Sequence, residues 1–480
     1  MSEYKLFVQR VGLVGLTNLF ISLSGLILLP VLTKNISVNN YGIWAQVTVA
    51  IIIMPVFLTM GLNDAVVRFI PVVKKSEQRN ILYSLFLIVL VISFVVSVLF
   101  YVFSDIIADN LFDGKTVIVK VLSVIIFVET LNEFMTQYFR AIQKIKIKSA
   151  LDILKTFLKV GLVFFFILSG YDIYGAIYGI LISSIIIMSI TFLLVSSELG
   201  IKNLKIVNVK QFLYYGLPLT IGHLSGRIVN VSDRYVIGFF LGTSFVGYYS
   251  PAYTLGDIIT LFFAPLNFML PPVLSKYYEE GNLETVKTIL SYSFKYFVAI
   301  AIPSAFGLSV MSKSILNVLS TPEIAQQGYI VTPFVAFSTL LFGVTLINSQ
   351  ILYLIKKTVV ISNAWMLAAA FNLVLNIILI PYIGIIGAAA TTFVAYLLLF
   401  IVVSTYSFKF MKFNINFAFL IKCLFASFIM AFIPIRLKPV GLFEITIVII
   451  ICAAIYFLML YVLKGFDKNE IYAFKNMLTS

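Results

Sequence analysis

Fourteen stretches of this 480-residue chain are each long and apolar enough to cross a bilayer, and no segment between them is long enough to fold by itself. They run over 11–32, 43–62, 80–103, 116–139, 150–169, 173–195, 212–241, 246–270, 290–311, 328–354, 359–380, 384–406, 417–435 and 442–463. About 20 apolar residues span the hydrocarbon as an α-helix. Helices and closed barrels are the only structures that satisfy every backbone polar group there. The expectation is an all-α polytopic membrane protein of about fourteen transmembrane helices. Its chemistry must then come from the few polar residues within the spans.

Composition supports this and narrows the function. The chain is 61% hydrophobic and 11% charged, and its mean hydropathy is +1.07; no soluble domain of this length has that balance. The first apolar run, Val11 to Leu32, is too long for a signal-peptide core, so no cleaved leader is expected. Basic residues concentrate in alternate loops. One set of loops holds only Lys34, Lys115, Lys313, Arg436 and Lys438, and the other holds more than four times as many. The positive-inside rule then places both termini in the cytoplasm, with the protein in the cell membrane. It also accounts for the net charge of +14 without any nucleic-acid partner. Cys423 and Cys452 both lie within spans and read as buried free thiols. No metal-ligand cluster, phosphate-cradling glycine loop or nucleophile–base pair is present, so no catalytic residue and no cofactor are expected. The short loops also disfavour a membrane polymerase or glycosyltransferase.

The chain repeats itself. Gln137, Ile142, Lys144 and Ser149 recur as Gln350, Ile355, Lys357 and Ser362 at a shift of 213, and Gly175-Ala176 recurs as Gly387-Ala388 at 212. Leu23-Ser24-Gly25 matches Leu224-Ser225-Gly226 at 201, and Tyr41-Gly42 is echoed by Val246-Gly247-Tyr248 at about 205. The six-helix blocks 1–200 and 201–410 are therefore expected to be two copies. Six crossings is an even number, so the copies share an orientation. Residues 411–480 add two further helices and a cytoplasmic tail. Repeats of this kind place a substrate between them near the midplane, with alternating access.

The run from Gly216 to Tyr235 holds the most unusual helix face. His223, Arg227, Asn230 and Arg234 are spaced 4, 3 and 4, which aligns them on one side of a helix, with Asp233 on the flank. An arginine in hydrocarbon costs at least roughly 2.5–3.5 kcal/mol on the insertion scale. Each arginine must therefore face a wet cavity or a partner. One reading is an anion site, since guanidinium forks suit phosphate. The other is pairing with Asp233 or with acids on neighbouring helices, and for His223 packing is the commoner role. Two more charged stripes follow. Glu129, Glu133, Thr136 and Arg140 share one, and Lys148, Asp152, Lys155 and Lys159 share the other. Either Glu129 and Glu133 pair with these lysines, or the charges line a cavity. Asp257 is a further candidate for coupling. Asn372 and Asn376, with Thr391 and Thr392, either hold helices together or offer oxygens to a cation such as Na⁺. Arg68 reads first as an ordinary cytoplasmic-side charge.

Three motifs resemble a known family. They are Gly61-Leu62-Asn63-Asp64-Ala65-Val66-Val67-Arg68-Phe69, the run from Ser225 to Gly238 followed by Val246-Gly247-Tyr248-Tyr249-Ser250, and Gly384-Ile385-Ile386-Gly387-Ala388-Ala389-Ala390-Thr391. Together they resemble the polysaccharide-transporter branch of the multidrug/oligosaccharidyl-lipid/polysaccharide (MOP) exporters. The resemblance implies a V-shaped pair of lobes like those of the multidrug antiporters. It also implies a flippase that moves a polyprenyl-(pyro)phosphate-linked oligosaccharide to the outer leaflet for surface glycan, such as O-antigen. By motif match Arg227, Asp233 and Arg234 inherit cavity roles. Arg227, Arg234, His223, Asn230, Lys159 and Arg68 form the expected substrate-binding set. Asp233, Asp257, Glu129, Glu133, Asn372 and Asn376 form the expected set for coupling to Na⁺ or H⁺. The expected partners are membrane lipids and the glycosyltransferases or polymerase that handle the same glycan, around a monomeric transporter. Relatives that flip the peptidoglycan precursor carry arginines on helix 1, but here its polar stripe is Gly15, Asn18, Ser22 and Gly25. The competing reading is an ion-coupled multidrug or cation antiporter of the same fold, whose cavity would be dominated by acids.

Overall fold

A computed structural model describes residues 3–200, 205–466 and Glu470, with side chains from Gly12 onward. Of the loop charges used for orientation, Lys202, Lys468 and Lys475 and the side chains of Lys5 and Arg10 lie outside the described residues. Among the described residues all regular structure is helical. Eleven helices are long and apolar enough to cross a membrane by length and composition, so this is a multi-pass membrane protein. The other three expected spans, 116–139, 150–169 and 212–241, also form helices, and they are the ones that carry the charged stripes.

The residues group into two compact units, Met1–Ser250 with Trp365–Ala388, and Pro251–Ala364 with Ala389–Ser480. The sequence repeat divides the chain at 200 and 410 instead. Contacts regroup residues 205–250 because the helices there pack on the first-half helices.

The first unit contains α1 (Glu3–Asn35), α2 (Val38–Leu58), α3 (Leu62–Phe69), α4 (Lys75–Val102), α5 (Ser104–Leu111), α6 (Thr116–Ala141), α7 (Ile145–Leu168), α8 (Asp172–Leu199), α9 (Lys210–Val231), α10 (Asp233–Leu241) and the first half of α11 (Thr243–Gly256). At its centre is α6, which touches α2, α3, α4, α5, α7 and α8 and buries most of its residues. Gly175 and Gly179 let α8 lie directly against the α7 backbone near Phe166 and Val163. Small residues allow such close approach where lipid supplies no hydrophobic drive between helices. The expected helix 43–62 stops at Leu58. Met60 and Gly61 take positive φ of 49° and 70°, and the chain restarts as α3. A side chain at Gly61 would overlap the Gly216 carbonyl on α9, so glycine is needed there for both conformation and space.

The second unit contains α12 (Thr260–Glu279), α13 (Leu283–Leu319), α14 (Pro322–Gly328), α15 (Val331–Leu354), most of α17 (Ile385–Phe410), α18 (Phe417–Leu437) and α19 (Leu442–Val462), while α16 (Thr358–Ile383) belongs partly to each. Its core gathers around α13, whose 37 residues reach about 55 Å at 1.5 Å per residue, well beyond the hydrocarbon. The expected helix 246–270 is interrupted by a 3₁₀ turn over Asp257–Ile259. From beyond α19, Glu470 returns to α13 and takes two hydrogen bonds from Lys295 Nζ, at 2.8 and 2.7 Å.

Candidate functional site

The expected polar face of 212–241 splits in two, and its own side chains cause the split. In an unbroken helix the Arg234 amide would donate to the Asn230 carbonyl. Instead it donates to Asp233 Oδ1 at 2.9 Å, and the Arg234 guanidinium takes the Asn230 carbonyl at 2.7 Å. A side chain inserted into the i→i−4 ladder breaks it, so α9 ends at Val231 and α10 begins at Asp233. The Asp233 carboxylate is fully buried. It also accepts from Arg234 Nη1 at 2.7 Å and from the Tyr249 hydroxyl of α11. Arg234 lies over the Tyr249 ring. The second arginine of the face therefore faces a partner, as the pairing alternative has it.

Arg227 differs. It is exposed, and no ion pair or hydrogen bond to its side chain is found among the described residues. One turn earlier His223 is 59% exposed at its side chain, and its Nε2 lies 3.1 Å from Asp64 Oδ2 of α3. His223, for which the sequence left packing and a cavity role open, shares a hydrogen bond with Asp64. The charges of Arg227 and of Arg140, at the end of α6, both act on the His223 ring. Arg140 is exposed and has no ionic partner among the described residues. The same holds for Arg68, one turn beyond Asp64 on α3. Because α3 packs on both α6 and α9, the guanidinium charges of Arg140 and Arg227 reach one Asp–His pair, while Arg68 is exposed on α3 itself. The sequence placed Arg140 both among the loop charges and on the α6 stripe that either pairs or lines a cavity, and it gave Asp64 only as part of the Gly61–Phe69 motif. One further signal was available, the i, i+4 spacing of Asp64 and Arg68. Asn230 donates to the Gly226 carbonyl at 2.8 Å, on the same helix.

The α6–α7 charges resolve differently from one another. Glu129 is 5% exposed; it accepts from Lys155 Nζ at 2.5 Å and from the Ser184 hydroxyl of α8 at 2.5 Å. Glu133 is exposed and accepts from Gln137 at 2.8 Å, so it does not pair with a lysine of α7. Lys159 is half-buried with no ion pair among the described residues, although its charge acts on Glu129. Glu129 thus ties three helices together. Glu129→Leu is expected to lower the melting temperature of the detergent-purified protein, because it strands the Lys155 ammonium. Adding Lys155→Met should recover most of that loss. A double variant that melts no higher than Glu129→Leu would show that the two charges do not act as a unit.

Asn376 donates to Asn372 at 3.1 Å, both are fully buried, and the Asn372 amide nitrogen has no partner among the described residues. In the second unit Thr391 and Thr392 are fully buried, and Asp257 occupies the 3₁₀ turn. No cluster of three His, Cys, Asp or Glu side chains is assembled among the described residues. The second unit also holds a cleft of about 270 Å³ walled by apolar side chains that include Phe262, Pro303, Leu308, Met430 and Phe457.

Residues 7–278 match the family described as polysaccharide biosynthesis protein. Among curated proteins, the probable low-salt glycan biosynthesis flippase Agl15 of Haloferax volcanii is 25% identical over 281 residues, 58% of this chain and 59% of that protein. The match thus spans less than two thirds of that relative. The membrane protein MJ1068 of Methanocaldococcus jannaschii is 24% identical over 373 residues, 72% of this chain and 73% of that one. Among solved structures, the lipid II flippase MurJ in an inward closed conformation superposes with a TM-score of 0.75 at 19% identity, covering 93% of this chain and 97% of that one. An inward-facing multidrug resistance transporter of the MATE family, in the MOP superfamily, gives 0.64 at 17% identity, covering 82% and 97%. At these identities the structural likenesses establish the fold.

Proposed function

The chain belongs to the polysaccharide biosynthesis protein family and has the fold of MOP exporters, and from that premise we propose that it is a flippase for a polyprenyl-(pyro)phosphate-linked oligosaccharide. It carries the lipid-linked glycan from the cytoplasmic to the outer leaflet by alternating access, with both termini in the cytoplasm. The observation that carries this reading is the pair of exposed guanidinium groups, Arg227 and Arg140, whose charges reach the Asp64–His223 pair, with Arg68 exposed on α3 beside them in sequence. Exposed guanidinium groups without carboxylate partners suit a phosphate, which they grip through paired N–H donors. A cation-extruding cavity would instead present free acids, and the buried acids Glu129 and Asp233 are both held in ion pairs. The apolar cleft of the second unit suits an isoprenoid chain in the same terms. The probable-flippase relative in archaeal glycan biosynthesis supports the same cargo class.

The test is reconstitution. Purified protein in liposomes should move a fluorescent polyprenyl-pyrophosphate oligosaccharide between leaflets, and protein-free liposomes should not. Transport is also expected to slow when the Na⁺ and H⁺ gradients are collapsed, with Glu129, Asp257 and the Asn372–Asn376 pair the groups to mutate first. Efflux of a cationic dye without movement of the glycan lipid would replace this reading by the antiporter one.

A further inference from the structure

The second unit holds another cleft, of about 350 Å³, where α13 and α18 begin. Small-molecule sites run from roughly 300 to 1,000 Å³, so this one suits a small ligand. The first turns of α13 form one wall, and the stretch leading into α18 forms the other.

Charge balance excludes an anion. Both lysines of the wall are already paired, Lys287 with Glu284 at 2.7 Å and Lys295 with Glu470 at 2.7 Å. The Lys295 ammonium also rests over the Phe419 and Phe466 rings. An entering phosphate would meet no unpaired cation, unlike one that meets Arg227 and Arg140. What the walls do offer is neutral hydrogen bonding. The Ser291 and Tyr292 hydroxyls and the Asn414 carboxamide line the cleft and have no hydrogen bond among the described residues. Asn416 uses its side-chain oxygen to cap α18, accepting from the Phe419 amide at 2.9 Å, which leaves its N–H donors. Hydroxyls and carboxamides each supply donors and acceptors together. Tyr292 is 45% exposed and stacks on Tyr296, with centroids 5.8 Å apart and planes within 15°. Its ring is therefore held in one plane while staying open to the cleft. Uncharged donors and acceptors beside a fixed aromatic ring match a pyranose, whose hydroxyls both give and take hydrogen bonds and whose C–H face packs on aromatic rings.

Position is an independent observation. The apolar cleft described above is built on the same two helices, further from their starts. On α13, Lys295 lines the polar cleft and Ala299, one turn on, lines the apolar one. On α18, Phe419 and Met430 do the same, about 16 Å apart along the helix. A lipid-linked glycan has its parts in that order, sugar outside the hydrocarbon and isoprenoid chain within it.

We propose that the polar cleft is a carbohydrate subsite. It takes an uncharged sugar ring of the cargo glycan on the side that the loop charges make cytoplasmic, while the isoprenoid chain lies in the apolar cleft. This rests on the transport reading above. It adds a second place of recognition, built from the second unit where the exposed arginines belong to the first, and a class of sugar.

The test uses full-length protein in nanodiscs and saturation-transfer NMR. The probes are the methyl glycosides of glucose, galactose, mannose and N-acetylglucosamine, with glycerol 3-phosphate as the anionic probe. At least one glycoside is expected to bind, and its affinity to weaken roughly tenfold in Tyr292→Ala, as the loss of an aromatic contact implies. Asn414→Ala should weaken it in the same direction. Both side chains are exposed, so neither change should move the melting temperature. Binding of no glycoside, binding that is equal in wild type and both variants, or binding of glycerol 3-phosphate alone would overturn the proposal. In liposomes the same variants are expected to raise the glycan-lipid concentration needed for half-maximal transport and to keep the maximal rate. The NMR arm needs no transport. A wrong transport reading would therefore show as absent glycan-lipid movement with Tyr292-dependent glycoside binding intact. Glycan-lipid movement with glycoside binding indifferent to Tyr292 would leave the flippase reading standing and remove the subsite.

Discussion

Arg227→Ala is expected to cut transport of the glycan lipid by roughly ten- to a hundredfold, from the loss of about 1.5–3 kcal/mol of charge-assisted hydrogen bonding to phosphate. Protein yield and melting temperature should not change. Arg227 is exposed and has no carboxylate partner among the described residues, so its removal strands nothing, and exposed substitutions of that kind usually move stability by less than about 0.5 kcal/mol. Arg227→Lys should retain part of the activity, because lysine keeps the charge but lacks the planar fork that grips phosphate from two sides. Arg140→Ala should fall in the same direction, since α6 brings its charge to the same His223. The measurement is leaflet-to-leaflet transport in liposomes beside a thermal melt of each variant. Wild-type transport by Arg227→Ala would falsify the anion site on α9.

Asp233→Ala is expected to do the reverse, failing as a protein before it fails as a transporter. It leaves the nearly buried Arg234 guanidinium without its counter-charge. Breaking one side of a buried pair costs about 3–5 kcal/mol, enough to lower both yield and melting temperature sharply. It also removes the acceptor that Tyr249 uses to hold α11 to the α9–α10 break. Removing both charges should be milder than removing one, so Asp233→Asn with Arg234→Met is expected to melt well above Asp233→Ala. Tyr249→Phe should cost about 1 kcal/mol, the worth of one ordinary hydrogen bond. A thermal-melt cycle over the three positions reads these values. If Asp233→Ala melts like wild type, the triad is not structural. Two arginines seven positions apart on one expected face are thus predicted to give opposite phenotypes.

That contrast marks the boundary of sequence reading. Hydropathy placed eleven spans on helices long and apolar enough to cross a membrane, because burial in lipid selects for apolar length and the signal is local. The motifs around Asp64, Asp233 and Gly387 gave the family, and charge cost in hydrocarbon singled out the helices worth studying, 116–139, 150–169 and 212–241. Which charge meets which depends on the neighbours of each helix, and no periodicity reports those. Glu129 finds Lys155 and Ser184 because α6 packs on both α7 and α8, while Glu133, one turn on, is exposed and bonds Gln137 of its own helix. Arg234 turns inward onto Asp233 and the Asn230 carbonyl, and Arg227 has no ion pair among the described residues. The repeat relates Gly42 to Gly247, but only the folded chain brings their helices into contact. The sequence by itself thus determined the solvent, the helices and the family, since each is written in local pattern. The tertiary structure alone decided which polar groups are satisfied and which are left to bind or to move, because that is settled by distances between helices far apart in the chain.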